Sequence, residues 1–332
     1  MNAIVKLGLD VYNKTVQTEF TNGKDAEVEL RNKLIELNGG SDKINLKSQR
    51  SNGSKIFEVV ETVIDRIVEE GMQGDEFFHD CVDYINMKLG DRNEFVIPGN
   101  SELFVAEMAN GIATPRRQRI GEKTSVAVPT KVYGIRVYEE LDRLLSGRTT
   151  WNTFIDAVSE AIMKARYETI YTAFSGISAS TDLLNDKYVI GGTFSEEDLL
   201  NLIAHVEAAT GKTARIIGTK AALRKITTAV LSEEAKSDLY NVGHYGKFAG
   251  TEMTAIKNIH KPGSMEFLLP DNKIWVVAGD DKFIKFVTEG DPIIVERDPL
   301  DNADLSQEYA YIEKYGCMVV LSSVLGMFTF TA

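Results

Sequence analysis

The chain has 332 residues, of which 43% are hydrophobic and 26% charged, and its formal net charge is −12. That size and mix describe an ordinary globular protein, two or three domains' worth, with apolar material for a large core. The acidic balance excludes a whole-chain phosphate binder, which needs clustered lysine and arginine, and leaves only local basic segments to touch nucleic acid.

Residues 1–55 read as an arm. The opening MNAIVKLGLDVYNKTVQTEF has no apolar run of export-signal length. The later stretch NGGSDKINLKSQRSNGSK is polar, and its Lys43, Lys47, Arg50 and Lys55 form a basic cluster against the single acid Asp42. Such a segment buries too little apolar surface to fold alone. Ile56, Val60, Val63, Ile64 and Ile67 then recur at helical spacing, interrupted by Gly71 and Gly74. A second helix is expected from Asp75 to Leu89, with Phe78, Val82, Ile85 and Leu89 as its apolar stripe and Gly90 as its stop.

Residues 96–145 read as extended, with the Val-rich run from Ser125 to Val137 as strand and PRRQRIGEK, Pro115 to Lys123, as a polar interruption. The pattern predicts a long hairpin whose tip crowds Arg116, Arg117, Arg119 and Lys123. Two strands are marginal in water without further support. The tip is either a solvated charged loop or a contact for an acidic neighbour, which an acidic chain offers on its own copies.

Next comes the best helix in the sequence. Thr150 is a suitable N-cap, and Trp151, Phe154, Ile155, Val158, Ile162 and Ala165 trace one face. With no proline before Phe174 and Gly176, the helix is expected to run roughly 36 Å, the length of a structural spine. Residues 181–275 read as α/β. Ser195 caps SEEDLLNLIAHVEAAT, the run ARIIG is a strand, and AALRKITTAV is helical. Strands are expected at Ile274 to Val277 and Phe283 to Val287. The alternating QEYAYIEKYG leads to the longest apolar stretch, Cys317 to Phe330, which Ser322, Ser323 and Gly326 interrupt. It is too short for a bilayer helix, so a soluble protein is expected.

Chemical signatures are missing from the sequence. The GKT at Gly211 to Thr213 has Val206 where a phosphate loop needs glycine, and it follows a helix, so it reads as a helix end with a basic turn. Gly243, Gly246 and Gly250 do not have dinucleotide spacing. His79, His205, His244 and His260 form no metal-binding pair, and Asp280 with Asp281 reads as a turn. Cys81 and Cys317 are far apart and read as buried apolar side chains. No catalytic centre, cofactor site or metal site is expected.

The order of these parts resembles the major capsid protein of tailed bacteriophages, the α+β Hong Kong 97-type fold also found in encapsulins. Residues 1–55 match its N-terminal arm, with 56–95 a helical segment attached to it. Residues 96–148 match the extended hairpin loop, 149–180 the spine helix of a peripheral domain, and 181–275 the α/β axial domain. FIKFVTEGDPIIVERDPLDNADLSQEYAYIEKYGCMVVLSSVLGMF matches the closing region: return strands of the peripheral domain over 276–315, a "YG" turn, and a final axial strand over 316–332. The resemblance implies a shell of hexamers and pentamers around double-stranded DNA, assembled in the host cytoplasm, without a membrane. It also implies scaffolding, portal and decoration proteins as partners. An encapsulin-like compartment and an α/β enzyme with its site in the 240–265 loops stay open as alternatives.

Overall fold

The computed structural model describes residues 2–15, 23–42, 46–92, 94–97, 103, 105, 117–119, 121–138, 145–177, 186–227, 243–244, 246–261, 263–279, 281–296, 308–321 and 323–331. The expected arm without a core of its own is corrected at once. Helices α1 (Asn2–Tyr12), α2 (Gly23–Leu37) and α3 (Leu46–Gln73) form a helical layer. Their Val5, Val11, Ala26, Leu30 and Leu34 join Val60, Val63 and Val68 in the main core. The polar run misleads because a helix satisfies its own backbone. The stripe from Ile56 onward anchors α3, and the first turns, polar as they are, propagate from it. The boundary expected at 55 therefore falls inside α3.

The second expected helix is also corrected. It is a short α4 (Glu76–Cys81) followed by strand β1 (Val82–Met87). Val82 and Ile85 fit a helical stripe, but VDYINM alternates as well, and the strand wins because a partner over 200 residues away in sequence pairs with it. Strands β2 (Glu94–Ile97) and β3 (Thr124–Ala127) then pair antiparallel as a separate ribbon, and β4 (Lys131–Tyr138) follows.

Helix α5 (Trp151–Gly176) is where the sequence places it, with Thr150 Oγ1 accepting from the Thr153 amide at 3.3 Å. Trp151, Ile155, Val158 and Ile162 are buried, while Phe154 and Ala165 are only half-buried. The face turns about one position away from the expected one, because α1 lies against Trp151. The Trp151 indole N–H donates to the Gly8 carbonyl at 3.2 Å, and a Cβ on Gly8 would meet the indole at 3.2 Å.

The rest of the chain builds two sheets. After β5 (Val189–Gly192) come α6 (Glu196–Thr210), β6 (Ala214–Thr219), α7 (Lys220–Leu223), β7 (Lys247–Phe248), β8 (Thr251–Ile256), β9 (Lys273–Ala278), β10 (Ile284–Glu289), β11 (Ile293–Glu296), β12 (Glu308–Val319) and β13 (Gly326–Phe330). One sheet runs β1-β10-β12-β11, with β4 on the other edge of β12. The second runs β5-β13-β9-β6-β8-β7. Leu199, Leu202, Ile203 and Val206 of α6 pack on one face of the second sheet against Ile216, Ile274, Val276 and Phe328. Its other face supplies Ile217, Trp275 and Val277 to the main core, where Phe174 of α5 meets Trp275 at 4.4 Å between ring centroids.

Two expectations about the C-terminal region change. Tyr315 and Gly316 make no turn, because both lie inside β12, and the final strand of the second sheet begins only at Gly326. Gly316 has a steric purpose there. The carbonyl of Pro129 occupies the space a Cβ would fill, so β12 passes directly beneath the segment that joins β3 to β4.

Candidate assembly surface

The sheet built on β12 has two unlike faces. Its inner face, facing α3 and α5, carries Tyr84, Phe286, Tyr311, Glu313 and Tyr315. Alternation puts Val287, Gly316, Lys314, Ile312 and Ala310 on the outer face. The β2–β3 ribbon covers part of that outer face, with Phe95 and Val128 enclosing Val287 beside Ile85, Met87 and Met318. Lys285 reaches over the Phe95 ring at 5.4 Å and pairs with Asp83 at 2.8 Å.

Glu289 ties down both ends of the ribbon. It accepts from the Gly90 amide at 3.4 Å, from the Thr130 hydroxyl at 2.9 Å, and pairs with Lys314 at 2.6 Å. Lys314 first, then Thr130, hold its carboxyl below the usual carboxylate range. Away from this root the ribbon carries apolar groups in water: Val96 is 60% exposed, and Val105 is fully exposed.

Further along the same outer face the sheet is open. Ile293 faces Ile312, which faces Gly134, and Val295, Ala310 and Arg136 form the next row. Ile293 is 52% exposed and Val132 67%. The chain therefore presents an uncovered apolar sheet face and, elsewhere, an exposed apolar ribbon. Complementary patches at two places on one chain allow a head-to-tail contact between copies, the geometry that closes into rings or lattices.

The basic residues singled out in the sequence fall in two segments, ahead of β3 and in or before α3. Arg117, Arg119 and Lys123 are exposed, and Arg119 pairs with Glu122 three residues on, which lowers the local positive charge. Arg116 lies outside the described residues, as does Lys43. Lys47 and Arg50 fall in the first turns of α3, and Lys55 is exposed on that helix.

A buried polar joint escaped the sequence reading. Arg166 of α5, 2% exposed, holds Glu313 of β12 with its guanidinium fork, Nη2 to Oε2 at 2.6 Å and Nε to Oε1 at 3.4 Å. Asp65 of α3 stands 3.9 Å from the same Nη2. Burial first, then Glu69, pushes the Asp65 carboxyl up to about 6. Tyr84 donates to Glu69 at 2.7 Å and sits 3.2 Å from Thr288. The signal was present in the sequence. Arg166 falls four residues after Ile162, on the apolar stripe, and Glu313 shares the parity of Tyr311 and Tyr315. A charge at a core position of the pattern calls for a buried partner.

The remaining candidates are structural. Gly211 ends α6 in the left-handed region at φ 66°, as a helix-end turn requires. Asp281 accepts from the Ser323 hydroxyl, and its amide closes a turn on Ala278 at 3.1 Å. Cys81 is buried, Cys317 half-buried, and both are free thiols whose ionisation burial disfavours. Among the described residues no group of His, Cys, Asp and Glu is placed to hold a metal ion, and no helix is long and apolar enough to cross a membrane.

Comparison with known proteins agrees with this picture of an assembling subunit. The family model described as "SPbeta prophage-derived putative capsid protein YonB" matches residues 3–329. Among solved structures the chain is similar to the mature capsid of bacteriophage PhiM1, at 10% identity and TM-score 0.49 over 77% of this chain and 87% of that one. It is similar also to the capsid of an empty GTA particle, at 11% and 0.49 over 76% and 88%. A virus-like particle from Pyrococcus furiosus gives 14% and 0.46 over 82% and 98%. The curated proteins contain no match.

Proposed function

Because the chain belongs to the family of SPbeta prophage-derived capsid proteins represented by YonB, we propose that it is the major shell subunit of a tailed-phage-like particle, a Hong Kong 97-type protein that forms hexamers and pentamers of an icosahedral capsid around double-stranded DNA. The family match over nearly the whole chain carries the reading. On it, the particle assembles in the host cytoplasm with scaffolding, portal and decoration proteins, and packaged DNA meets the inner surface without sequence preference.

The two outer-face features supply the contact between copies. The ribbon of one subunit, with Val96, Leu103 and Val105, covers the open face of Ile293, Val295, Ile312 and Val132 on the next. The tip residues Arg116, Arg117, Arg119 and Lys123 meet acidic side chains of that neighbour, and Lys43, Lys47, Arg50 and Lys55 are a second basic contact region. A single rim charge contributes only about 0–1 kcal/mol, but a closed shell repeats it at every subunit. A stable interface of this kind buries on the order of 1,000 Å² or more.

The test is size-exclusion chromatography followed by negative-stain microscopy of the purified chain, alone and with a co-expressed scaffold. Rings or closed particles are expected. A chain that stays monomeric under both conditions overturns the reading. Within an assembling protein, Ile293→Asp with Val295→Asp should abolish particles while leaving the subunit folded. Reversing Arg116, Arg117 and Arg119 to Glu should weaken assembly in a salt-sensitive way.

A further inference from the structure

The joint between α3, α5 and β12 contains more negative charge than its one buried cation balances. Arg166 gives its fork to Glu313, and the nitrogen that makes the shorter of those bonds, Nη2, is the one nearest Asp65. The other terminal nitrogen, Nη1, is buried and has no hydrogen-bond partner among the described residues. The guanidinium thus fully engages one carboxylate and leaves the second at 3.9 Å without a charge-assisted bond. Further acids surround it. Glu61 and Glu69 lie on the same helix, Asp291 on the turn between β10 and β11, and the hydroxyl of Tyr311 comes from β12. Glu61 accepts from the Ile294 amide and Glu69 from the Tyr84 hydroxyl, so neither brings a positive charge to Asp65, and burial raises the Glu61 carboxyl as well.

We propose that this joint is a proton-operated latch: uptake of one proton by Asp65 fixes the N-terminal helical layer onto the spine helix and sheet, and its loss loosens that layer. Helix α3 is the part that responds, because it carries α1 and α2 on one side and meets α5 and β11 on the other. Its apolar stripe, with Val60, Val63 and Val68 at 0–1% exposure, keeps it docked in both states. The proton therefore adjusts how often the layer opens and does not dissolve it.

The direction follows from linkage. Asp65 binds its proton more tightly when the layer is seated than when it is open, so the seated state gains as pH falls. The gain is complete below the ordinary carboxylate value near 3.8 and is lost as pH rises through about 6. Between pH 5 and 7.5 this amounts to roughly a tenfold change in the opening equilibrium. The latch concerns regulation only, and it stands or falls independently of whether the chain builds a shell.

Hydrogen exchange on the full-length chain tests it, with α6 and β6 as internal reference. Corrected for intrinsic rates, protection of α3 relative to that reference should fall about tenfold from pH 5 to pH 7.5. In Asp65→Asn most of the fall should vanish, with α3 nearly as protected at pH 7.5 as in the parent at pH 5. In Glu313→Gln, which frees the guanidinium for Asp65, the fall should move to more acid pH. A parent profile without pH dependence, or an Asp65→Asn profile identical to the parent's, overturns the proposal. Should Glu313→Gln not fold, the Asp65→Asn comparison decides alone.

Discussion

The two sheets are held together by different physics. The layer between α6 and the second sheet is apolar throughout, built from Leu199, Leu202, Ile203, Val206, Ile216, Val276 and Phe328. The layer between the helices and the first sheet belongs to a larger apolar cluster but also buries the Arg166–Glu313 pair, with Asp65 at its edge. Apolar packing tolerates swaps that conserve volume and shape. A buried ion pair imposes one geometry, since removing either partner leaves an uncompensated charge where water cannot reach it. There is a division of labour: α6 closes one face of the second sheet with apolar side chains alone, while the first sheet, through its ion pair, fixes the relative position of elements drawn from the whole chain.

Single-site variants can break that comparison. Glu313→Ala should cost about 3–5 kcal/mol in urea unfolding of the unassembled chain, whereas the double change Arg166→Met with Glu313→Leu should recover most of it. If the double variant is as unstable as the single one, the pair is more than a charge balance and the contrast between the layers is wrongly drawn. On the apolar side, Phe328→Ala should cost a similar ~3–5 kcal/mol, with no partner change able to restore it.

The spine helix sharpens the point. Ile155 is fully buried and Phe154 only half-buried. Ile155→Ala should therefore cost ~2–5 kcal/mol and Phe154→Ala clearly less, although phenylalanine is the larger residue. Equal losses by thermal melting would mean that the buried face is not the one described.

Smaller effects belong to the local signals of the second block. Ser195 accepts from the Asp198 amide at 3.3 Å, and Ser195→Ala should cost ~1 kcal/mol. Ala249 occupies the left-handed region at φ 47° in the two-residue turn between β7 and β8, followed by Gly250 at φ 88°. Asparagine suits that position far better, so Ala249→Asn should stabilise by up to ~1 kcal/mol, readable as a small rise in Tm. A fall would show that the turn relies on the small methyl group.

The same contrast explains what was legible. In the second block each element announces itself locally: Ser195 starts α6, Gly211 stops it, and ARIIGT, with Ile216 and Ile217 pointing to opposite faces, is largely buried because helix and core cover it. Thr150 and the long stripe behind it marked α5 equally well. The first layer was harder because its identity is decided at a distance. Nothing within VDYINM says that Val82 will lie beside Ile284, so its helical reading was as good as its strand reading. The polar segment ahead of Ile56 gave no hint that α3 had already begun. The candidate site divides likewise. The strand at Thr124–Ala127 could be read from the Val-rich run, but Glu289 as the anchor of both ribbon ends, and the outer-face row through Ile293 and Ile312, emerge only from strand register.

Gly316 acts as a pivot. With no side chain there, the Pro129 carbonyl settles directly on β12, and the ribbon leaves the sheet at the angle that this contact and the Glu289 tether define. A Cβ at position 316 would collide with that carbonyl, so a single added methyl group there would shift the root of the ribbon against the sheet. The subunit would still fold, since β12 is held on both edges by other strands. The seating of Phe95 and Val128 over Val287 would be set wrong by an atom in the middle of a strand.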